Sequence, residues 1–321
     1  MTAFVCSSLF PLVRISQNEN RSIYITIENQ CQPDQKDFDG LSSIVTGTLF
    51  TYSNRECLTV HKFLIILGSG YTARFLLPPA SRQYAHVFAT SRAPDRHLNH
   101  ITPDRRIRFD LTQQSTWKNI STGTDLLWCF PATPPDLVRK FAVTLDPLSR
   151  RLVVLGSTSA YEVGGSREYP PPWIDETAPI DLTKPRVQGE EFLRTNCGAI
   201  VLRVAGIYGP GRNPIDWIRT GRVSPSRNYV NLIHVADLAR ICLATLEHGK
   251  PGEAYNVSDG TPRTWREIHE TVSQHLSSAS PAAAIDQQPG KRISTVKLGE
   301  SFGPIIRHRD LYAELVKIEK E

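Results

Sequence analysis

Short apolar runs alternate with polar or helix-like stretches between residues 62 and 204. Each run is rich in Val, Ile, Leu and Phe and lacks the period of two that marks a half-exposed strand. The pattern therefore predicts parallel strands buried on both faces, and hence an α/β protein with a doubly wound sheet. The six predicted strands are Lys62–Leu67, His86–Thr90, Arg106–Phe109, Asp125–Phe130, Leu152–Gly156 and Ala199–Val204.

The first predicted strand ends in a glycine turn that leads directly into a helix-like segment. In a dinucleotide-binding βαβ unit, Gly68 would make the tight turn, Gly70 would admit a pyrophosphate, and Ala73 would let helix pack on strand. Two nearby glycines by themselves more often make only a turn. Together with the strands that follow, the turn predicts a Rossmann fold whose cofactor loop is formed by Gly68, Ser69, Gly70, Tyr71 and Thr72.

Arg92 stands at the carboxyl end of the second predicted strand. NAD-binding proteins usually carry an acidic residue there for the ribose 2′-hydroxyl, whereas a cation suits a 2′-phosphate. We therefore expect NADP as the cofactor, with NAD as the alternative. A solvated surface arginine is the other interpretation of Arg92.

The ends of the third and fourth predicted strands supply further candidate cofactor contacts. Asp110 and Leu111 follow the third strand, where Asp110 could accept a hydrogen bond from adenine or simply cap a helix. Pro131 follows the fourth strand, and we expect it to border the nicotinamide ring through apolar contacts.

Composition excludes several classes of protein. The 321 residues carry a formal charge of +5 without a basic stripe, so no nucleic acid is expected as a partner. The 6 cysteines show no paired spacing, which predicts reduced thiols in a cytoplasmic protein and no metal site. No apolar run approaches a membrane span.

The chain divides into three predicted regions. Residues 1–60 lack clear periodicity and are expected to form a poorly ordered N-terminal extension. Residues 61–205 would form the cofactor-binding Rossmann domain. Residues 206–321 would form a smaller substrate-side lobe, with segments that return to the core.

Several motifs resemble those of the extended short-chain dehydrogenase/reductases, the family of NAD-dependent epimerases and dehydratases, over roughly residues 62–310. The cofactor loop GSGYTAR is similar to theirs, and GSTSAYEVGG resembles their serine segment, with Ser157 at the position of the catalytic hydroxyl. LRVAGIYGPGRN (202–213), NLIHVADLAR (231–240) and AYNVSDGTPRTWRE (254–267) resemble later segments in the same order. The resemblance implies an enzyme with a small-molecule substrate, and a homodimer is common in that family.

The chain departs from the family at the catalytic Tyr-x-x-x-Lys, which occurs nowhere in it. We predict the corresponding helix on DLTKPRVQGEEFLRTN, which puts Leu182 at the tyrosine position and Arg186 at the lysine position. Leucine transfers no proton. Arg186 would still orient the ribose through hydrogen bonds, although a guanidinium gives up no proton. The chain is most similar to an atypical branch of the family that lacks this tyrosine.

Other polar residues of these motifs are candidates for the cleft. Tyr161 could contribute to catalysis, although an aromatic residue just past a strand usually packs under the loop. Tyr208 belongs to a Tyr-Gly-Pro-Gly turn, where a substrate contact and a purely conformational role are equally consistent with the sequence. Arg212, with Asn213, could reach an anionic group of the substrate.

The expected function is an oxidoreductase or epimerase/dehydratase-like enzyme that uses NADP or NAD. It would act on a carbonyl or secondary alcohol of a small polar substrate, a sugar nucleotide being one candidate, and Ser157 would polarise the substrate oxygen. Because the tyrosine and lysine are missing, the alternative is a catalytically impaired NADP(H)-binding sensor or scaffold protein.

Overall fold

A computed structural model of the protein describes residues 12–17, 23–28, 62–121, 123–145, 149–161, 168–276 and 290–320. Its strands are β1 (Leu12–Gln17), β2 (Ile23–Glu28), β3 (Phe63–Leu67), β4 (His86–Ser91), β5 (Arg106–Arg108), β6 (Thr124–Trp128), β7 (Ser149–Ser157), β8 (Trp173–Ile174), β9 (Ile200–Val204), β10 (Gly206–Tyr208), β11 (Tyr229–Val230), β12 (Leu232–His234), β13 (Ala254–Val257), β14 (Arg263–Thr264) and β15 (Arg292–Ile293).

The helices are α1 (Tyr71–Ala80), α2 (Pro94–His97), α3 (Pro135–Leu145), α4 (Pro185–Cys197), α5 (Pro214–Arg219), α6 (Val235–His248), α7 (Trp265–Leu276), α8 (Val296–Phe302) and α9 (Leu311–Lys320). Among the described residues, no helix is long and apolar enough to cross a membrane.

A seven-stranded parallel sheet forms the centre of the fold, in the order β13-β9-β7-β6-β3-β4-β5. The strand order reverses between β3 and β6, which is the topological switch point where doubly wound proteins bind their ligands. All six predicted strands belong to this sheet, so the predicted fold class is confirmed. The seventh strand, β13, comes from the 206–321 region and pairs with β9.

Both faces of the sheet are buried, which explains why its strands lack a period of two. Ile66 and Leu64 pack with α1 and α6 on one face. Ile65 and Leu67 pack with α3 and α4 residues on the other. A third apolar cluster joins α5, α7 and α9 in the C-terminal region.

The helix predicted from residue 181 begins later, at Pro185. The side chain of Asp181 accepts hydrogen bonds from the Thr183 amide and hydroxyl, and this turn occupies the residues that were expected to be the first helical turn. Proline at the first helical position suits such a start because its missing N–H is not needed there.

The predicted N-terminal extension falls mostly outside the described residues. Its two described strands, β1 and β2, pair in antiparallel fashion with Ile15 opposite Ile25. Residues 1–57 and 58–321 form separate compact units.

Candidate active site

The glycine turn after β3 has the geometry that a pyrophosphate site requires. Gly68 has φ +86°, and a Cβ there would lie 2.8 Å from the Phe130 ring, so glycine is needed on both counts. The Gly68 amide donates a hydrogen bond to the Thr90 hydroxyl at 2.9 Å. The Ser69 amide donates to the Thr90 carbonyl oxygen at 3.2 Å. These bonds fix the turn against the end of β4.

An open position lies directly beyond this turn, at the start of α1. A Cβ on Gly70 would meet nothing within 4 Å, and no side chain caps the helix. The Ser69 hydroxyl is buried and has no hydrogen-bond partner among the described residues. An open helix N-terminus beside an orphaned hydroxyl fits an anion such as the diphosphate of a dinucleotide.

A cavity of about 760 Å³ extends from this position over the carboxyl ends of β3, β4, β5 and β6. Six of the predicted cofactor residues line it: Gly68, Ser69, Gly70, Arg92, Asp110 and Leu111. Arg96, Phe130 and Thr133, which the sequence places near Arg92 and Pro131, also line it. Sequence reasoning did not single out the remaining lining residues, which are Arg74, Thr90, Ser91, His97, Asn99, His100, Phe109, Thr112 and Cys129. The available signal was position along the predicted strands: Thr90, Phe109, Cys129 and Phe130 lie at their carboxyl ends, and Ser91, Thr112 and Thr133 follow shortly after.

The cavity is rich in basic groups. Arg74, Arg92 and Arg96 line it, and Asp110 is the one carboxyl group among its described lining residues. The Asp110 carboxylate already accepts hydrogen bonds from the Thr112 amide (2.9 Å) and hydroxyl (2.7 Å). These bonds form a local turn and do not cap a helix, because the 3-10 helix that follows, Gln114–Asn119, has Gln113 as its N-cap residue.

Three other predicted cofactor residues lie beside the cavity and do not line it. Thr72 is buried within α1, and Pro131 is exposed. The Tyr71 hydroxyl donates to the Pro210 carbonyl oxygen at 3.0 Å, and the Arg212 guanidinium lies 5.0 Å from the Tyr71 ring. Tyr71 therefore connects the glycine turn to the Tyr-Gly-Pro-Gly turn, more than a hundred residues away.

Ser157 ends β7 and begins a short 3-10 turn, residues Thr158–Ala160. Its Oγ accepts from the Ser159 amide at 3.1 Å and donates to the Ser159 Oγ at 3.3 Å. Arg186 donates to the same Ser159 hydroxyl at 2.7 Å and lies 3.0 Å from the Glu190 carboxylate. The structure thus brings Ser157 and Arg186 together through Ser159.

Tyr161 packs under this turn and is fully buried. Its hydroxyl donates to Asn256 Oδ1 at 2.6 Å and accepts from Arg203 at 3.0 Å. Burial raises the pKa of Tyr161. A hydroxyl that is enclosed and doubly engaged has a structural role, in agreement with the packing alternative considered for it.

Two of the three predicted substrate residues point away from any open surface. Tyr208 is fully buried, its ring contacts His234, and burial raises its pKa above the ordinary range. Asn213 is buried and caps α5 by accepting from the Ile215 amide at 3.0 Å. Arg212 is partly exposed. The structure therefore assigns Tyr208 and Asn213 to packing and capping, and leaves Arg212 accessible.

One group of metal-ligating side chains occurs among the described residues, His234, His308 and Glu314, whose ligand atoms lie within 4.8 Å of one another. The two imidazole rings stack with centroids 4.1 Å apart and planes inclined by 26°. A metal ion must lie in the plane of each ring that binds it, which nearly parallel stacked rings do not allow. His308 instead lies 3.0 Å from Asp237.

Comparison with known proteins shows where this fold occurs. No family model matches the sequence, and no curated protein matches it. A functionally unknown conserved protein from Silicibacter pomeroyi is 23% identical, with a TM-score of 0.64 over 81% of this chain and 98% of that chain.

Two solved enzymes share the fold at lower identity. The dTDP-glucose 4,6-dehydratase from Bacillus anthracis, solved with NAD, is 13% identical with a TM-score of 0.64 over 81% of this chain and 97% of that one. The Bordetella bronchiseptica enzyme WbmG, solved with NAD and UDP, is 18% identical with a TM-score of 0.62 over 80% of this chain and 93% of that one. The resemblance to the extended short-chain dehydrogenase/reductases is thereby confirmed at the level of the fold.

Proposed function

We propose that the chain is an NADP-dependent oxidoreductase or epimerase/dehydratase-like enzyme that acts on a carbonyl or secondary alcohol of a small polar substrate. The observation that carries the proposal is the open position at Gly70, at the N-terminus of α1 and within the cavity at the switch point. A dinucleotide is the ligand that this combination fits best.

The charges around the cavity favour NADP over NAD. Arg92 and Arg96 are exposed at the end of β4 and in α2, where a ribose 2′-phosphate would lie. Arg74 adds a third guanidinium from α1. A phosphate dianion gains charge-assisted hydrogen bonds from these groups, whereas a neutral 2′-hydroxyl gains little.

In this proposal Ser157 donates a hydrogen bond to the substrate oxygen and Arg186 orients the nicotinamide ribose. Both lie at the carboxyl-end side of the sheet, linked through Ser159. Residues 61–205 would hold the cofactor and residues 206–321 would form the substrate side. Because the Bordetella enzyme of this fold was solved with NAD and UDP, sugar nucleotides are the first substrates to test.

Calorimetry with NADPH and NADH, followed by incubation with a panel of keto-sugars, sugar nucleotides and aldehydes, tests the proposal. We expect NADPH to bind at least ten times more tightly than NADH, and one or more substrates to oxidise it. If neither nucleotide released heat with well-folded protein, the proposal would be refuted.

A sensor or scaffold that binds NADP(H) without turnover is the second candidate. Leu182 favours it, because this residue stands at the position of the proton-donating tyrosine and is 56% exposed in the turn before α4. Tight NADPH binding without turnover on the whole panel would support the sensor. Loss of a measured activity in Ser157→Ala would refute it.

A further inference from the structure

The proposed reaction needs a proton donor, because Leu182 stands at the position of the usual tyrosine. The tyrosines that the sequence offers are poorly placed: Tyr161 and Tyr208 are fully buried. Tyr169 is exposed, but it stacks beneath the Arg227 guanidinium at 3.8 Å and against Tyr229. Glu162, another residue near the predicted cleft, lies outside the described residues.

Three cations, two from the start of α4 and one from a distant segment, converge on the turn that follows Ser157. Lys184 Nζ donates to the Ser159 carbonyl oxygen at 2.9 Å. Arg186 donates to the Ser159 hydroxyl. Lys291 Nζ, from the segment before β15, donates to the carbonyl oxygens of Tyr161 at 2.8 Å and Thr158 at 3.3 Å.

The three cations differ in their counter-charges. Lys184 lies 3.0 Å from the Asp181 carboxylate, and Arg186 lies 3.0 Å from Glu190. Lys291 pairs with no carboxylate among the described residues, and the two acceptors of its ammonium group are neutral carbonyl groups. Two acceptors also leave one of the three ammonium protons for a further partner.

The position of Lys291 is fixed by its own backbone. The buried Asn231 donates from Nδ2 to the Lys291 carbonyl oxygen at 2.8 Å and accepts from the Ile293 amide at 3.0 Å. One asparagine thus holds the backbone on both sides of Arg292. These bonds fix the backbone of Lys291, and the bonds of its Nζ to the Tyr161 and Thr158 carbonyl oxygens orient the side chain, as acid catalysis requires.

We propose that Lys291 is the proton donor that takes the place of the missing tyrosine, acting on the substrate oxygen that Ser157 polarises. The inference rests on the proposed function. Bound NADPH would supply the hydride that forms a C–H bond at the substrate carbonyl carbon while the C=O π bond breaks. The oxygen then takes a proton from Lys291 Nζ, leaving a neutral amine that solvent reprotonates. The reverse reaction uses the neutral amine as a base.

The electrostatic surroundings suit this role. Burial, assisted by the nearby Lys184 ammonium, lowers the pKa of Lys291 from its ordinary value of 10.5. The other charged groups around the same turn are Asp181, Arg186 and Glu190, with Arg292 next in the chain. A lysine whose pKa moves toward neutrality is a better acid than an ordinary one, whereas an arginine gives up no proton.

The first test uses the full-length protein without cofactor. NMR of ¹³C-methylated lysines, with the Lys291 signal assigned by its absence in Lys291→Arg, should show Lys291 titrating at lower pH than an ordinary lysine. Lys184→Met should move that titration to higher pH, because it removes the neighbouring positive charge. A Lys291 signal that titrates at the ordinary lysine value overturns the inference.

The second test uses the substrate found in the panel. Lys291→Met should bind NADPH as the unmodified protein does, while kcat/KM falls by roughly 10²- to 10⁴-fold, the usual contribution of a general acid. Lys297→Met is the matched control. Lys297 lies on α8, and its Nζ pairs with the Glu253 carboxylate at 2.7 Å instead of with the turn after Ser157. The kcat/KM of Lys297→Met should stay within about twofold of that of the unmodified protein.

The outcomes separate the two proposals. If Lys291→Met turns over at the rate of the unmodified protein, the donor role is refuted and the proposed function stands. If the unmodified protein binds no NADPH, or if no substrate of the panel leads to NADPH oxidation, the proposed function fails and the donor role fails with it.

Discussion

The Arg186 guanidinium lies 3.0 Å from the carboxylate of Glu190, one helical turn further along α4. Glu190 is almost completely buried against Gly156, and this burial raises its pKa to about 7. One ion pair is therefore insufficient to offset the loss of hydration. The arginine that contacts the Ser159 hydroxyl is held by a carboxyl group that titrates near neutral pH.

Glu190→Gln should change how stability depends on pH. The folded-state pKa of Glu190 is raised above its ordinary value of 4.5, so its contribution to stability is complete below pH 4.5 and is lost as pH rises through 7. Relative to the glutamine variant, the unmodified protein should lose about 2 to 3 kcal/mol of unfolding free energy between pH 5 and pH 8. Urea unfolding at both pH values measures this, and a difference that does not change with pH would contradict it.

Gly68→Ala should destabilise the fold. The substitution places alanine at a backbone position with positive φ and brings its Cβ against the Phe130 ring. The free energy of unfolding should fall by about 1 to 3 kcal/mol. Denaturant unfolding measures the effect.

Gly70→Ala is the matched comparison. Gly70 has extended backbone angles and open space around it, so stability should change by less than about 0.5 kcal/mol. NADPH affinity should nevertheless fall at least tenfold, because the new methyl group occupies the proposed phosphate position. Equal nucleotide affinity in this variant would argue against a diphosphate at α1.

Arg92→Gln should change the preference between the two nucleotides. Loss of one charge-assisted contact to a 2′-phosphate weakens NADPH binding by about 10-fold or more and leaves NADH binding nearly unchanged. Titration calorimetry with both nucleotides provides the measurement. Arg105→Gln serves as the control, since Arg105 does not line the cofactor cavity. Equal weakening of both nucleotides would remove the case for a 2′-phosphate contact.

Tyr208→Phe and Tyr161→Phe should have opposite effects on stability. The Tyr208 hydroxyl is buried without a partner among the described residues, so its removal should leave the protein as stable or up to about 1 kcal/mol more stable. Removal of the Tyr161 hydroxyl breaks its bonds to Asn256 and Arg203 and should cost about 1 to 3 kcal/mol.

Activity on the panel substrate completes this comparison. Tyr208→Phe should retain full activity, since the hydroxyl has no path to a substrate. A large loss of kcat with unchanged stability would instead restore the substrate contact that the sequence suggested for this tyrosine.

Much of the fold could be predicted from the sequence because its signals are local. The six strands are continuous apolar runs, and the glycine turn follows the first of them. β13 was not predicted as a strand, since its four residues lie within a segment that resembled a substrate-side motif. Its place at the edge beside β9 depends on where the C-terminal region folds back.

The candidate site could be predicted only in part. The location of Arg92 and Ser157 at the carboxyl edge of the sheet could be predicted, because the ends of parallel strands meet at one edge. The start of α4 was placed too early, since the Asp181 turn competes with the helix for the same backbone groups. The burial of Tyr208 was also undecided, because an identical turn motif can face a cleft or the core.

The sequence by itself determined where six of the sheet strands lie along the chain and the position of the glycine turn, since hydrophobic period and backbone freedom are properties of neighbouring residues. Only the tertiary structure decided which distant groups meet. Lys291 reaches the carbonyl oxygen of Tyr161 across 130 residues, and Tyr71 reaches Pro210 across 139. Contacts of this kind carry no local signal, because they arise from the packing of the completed sheet and its C-terminal region.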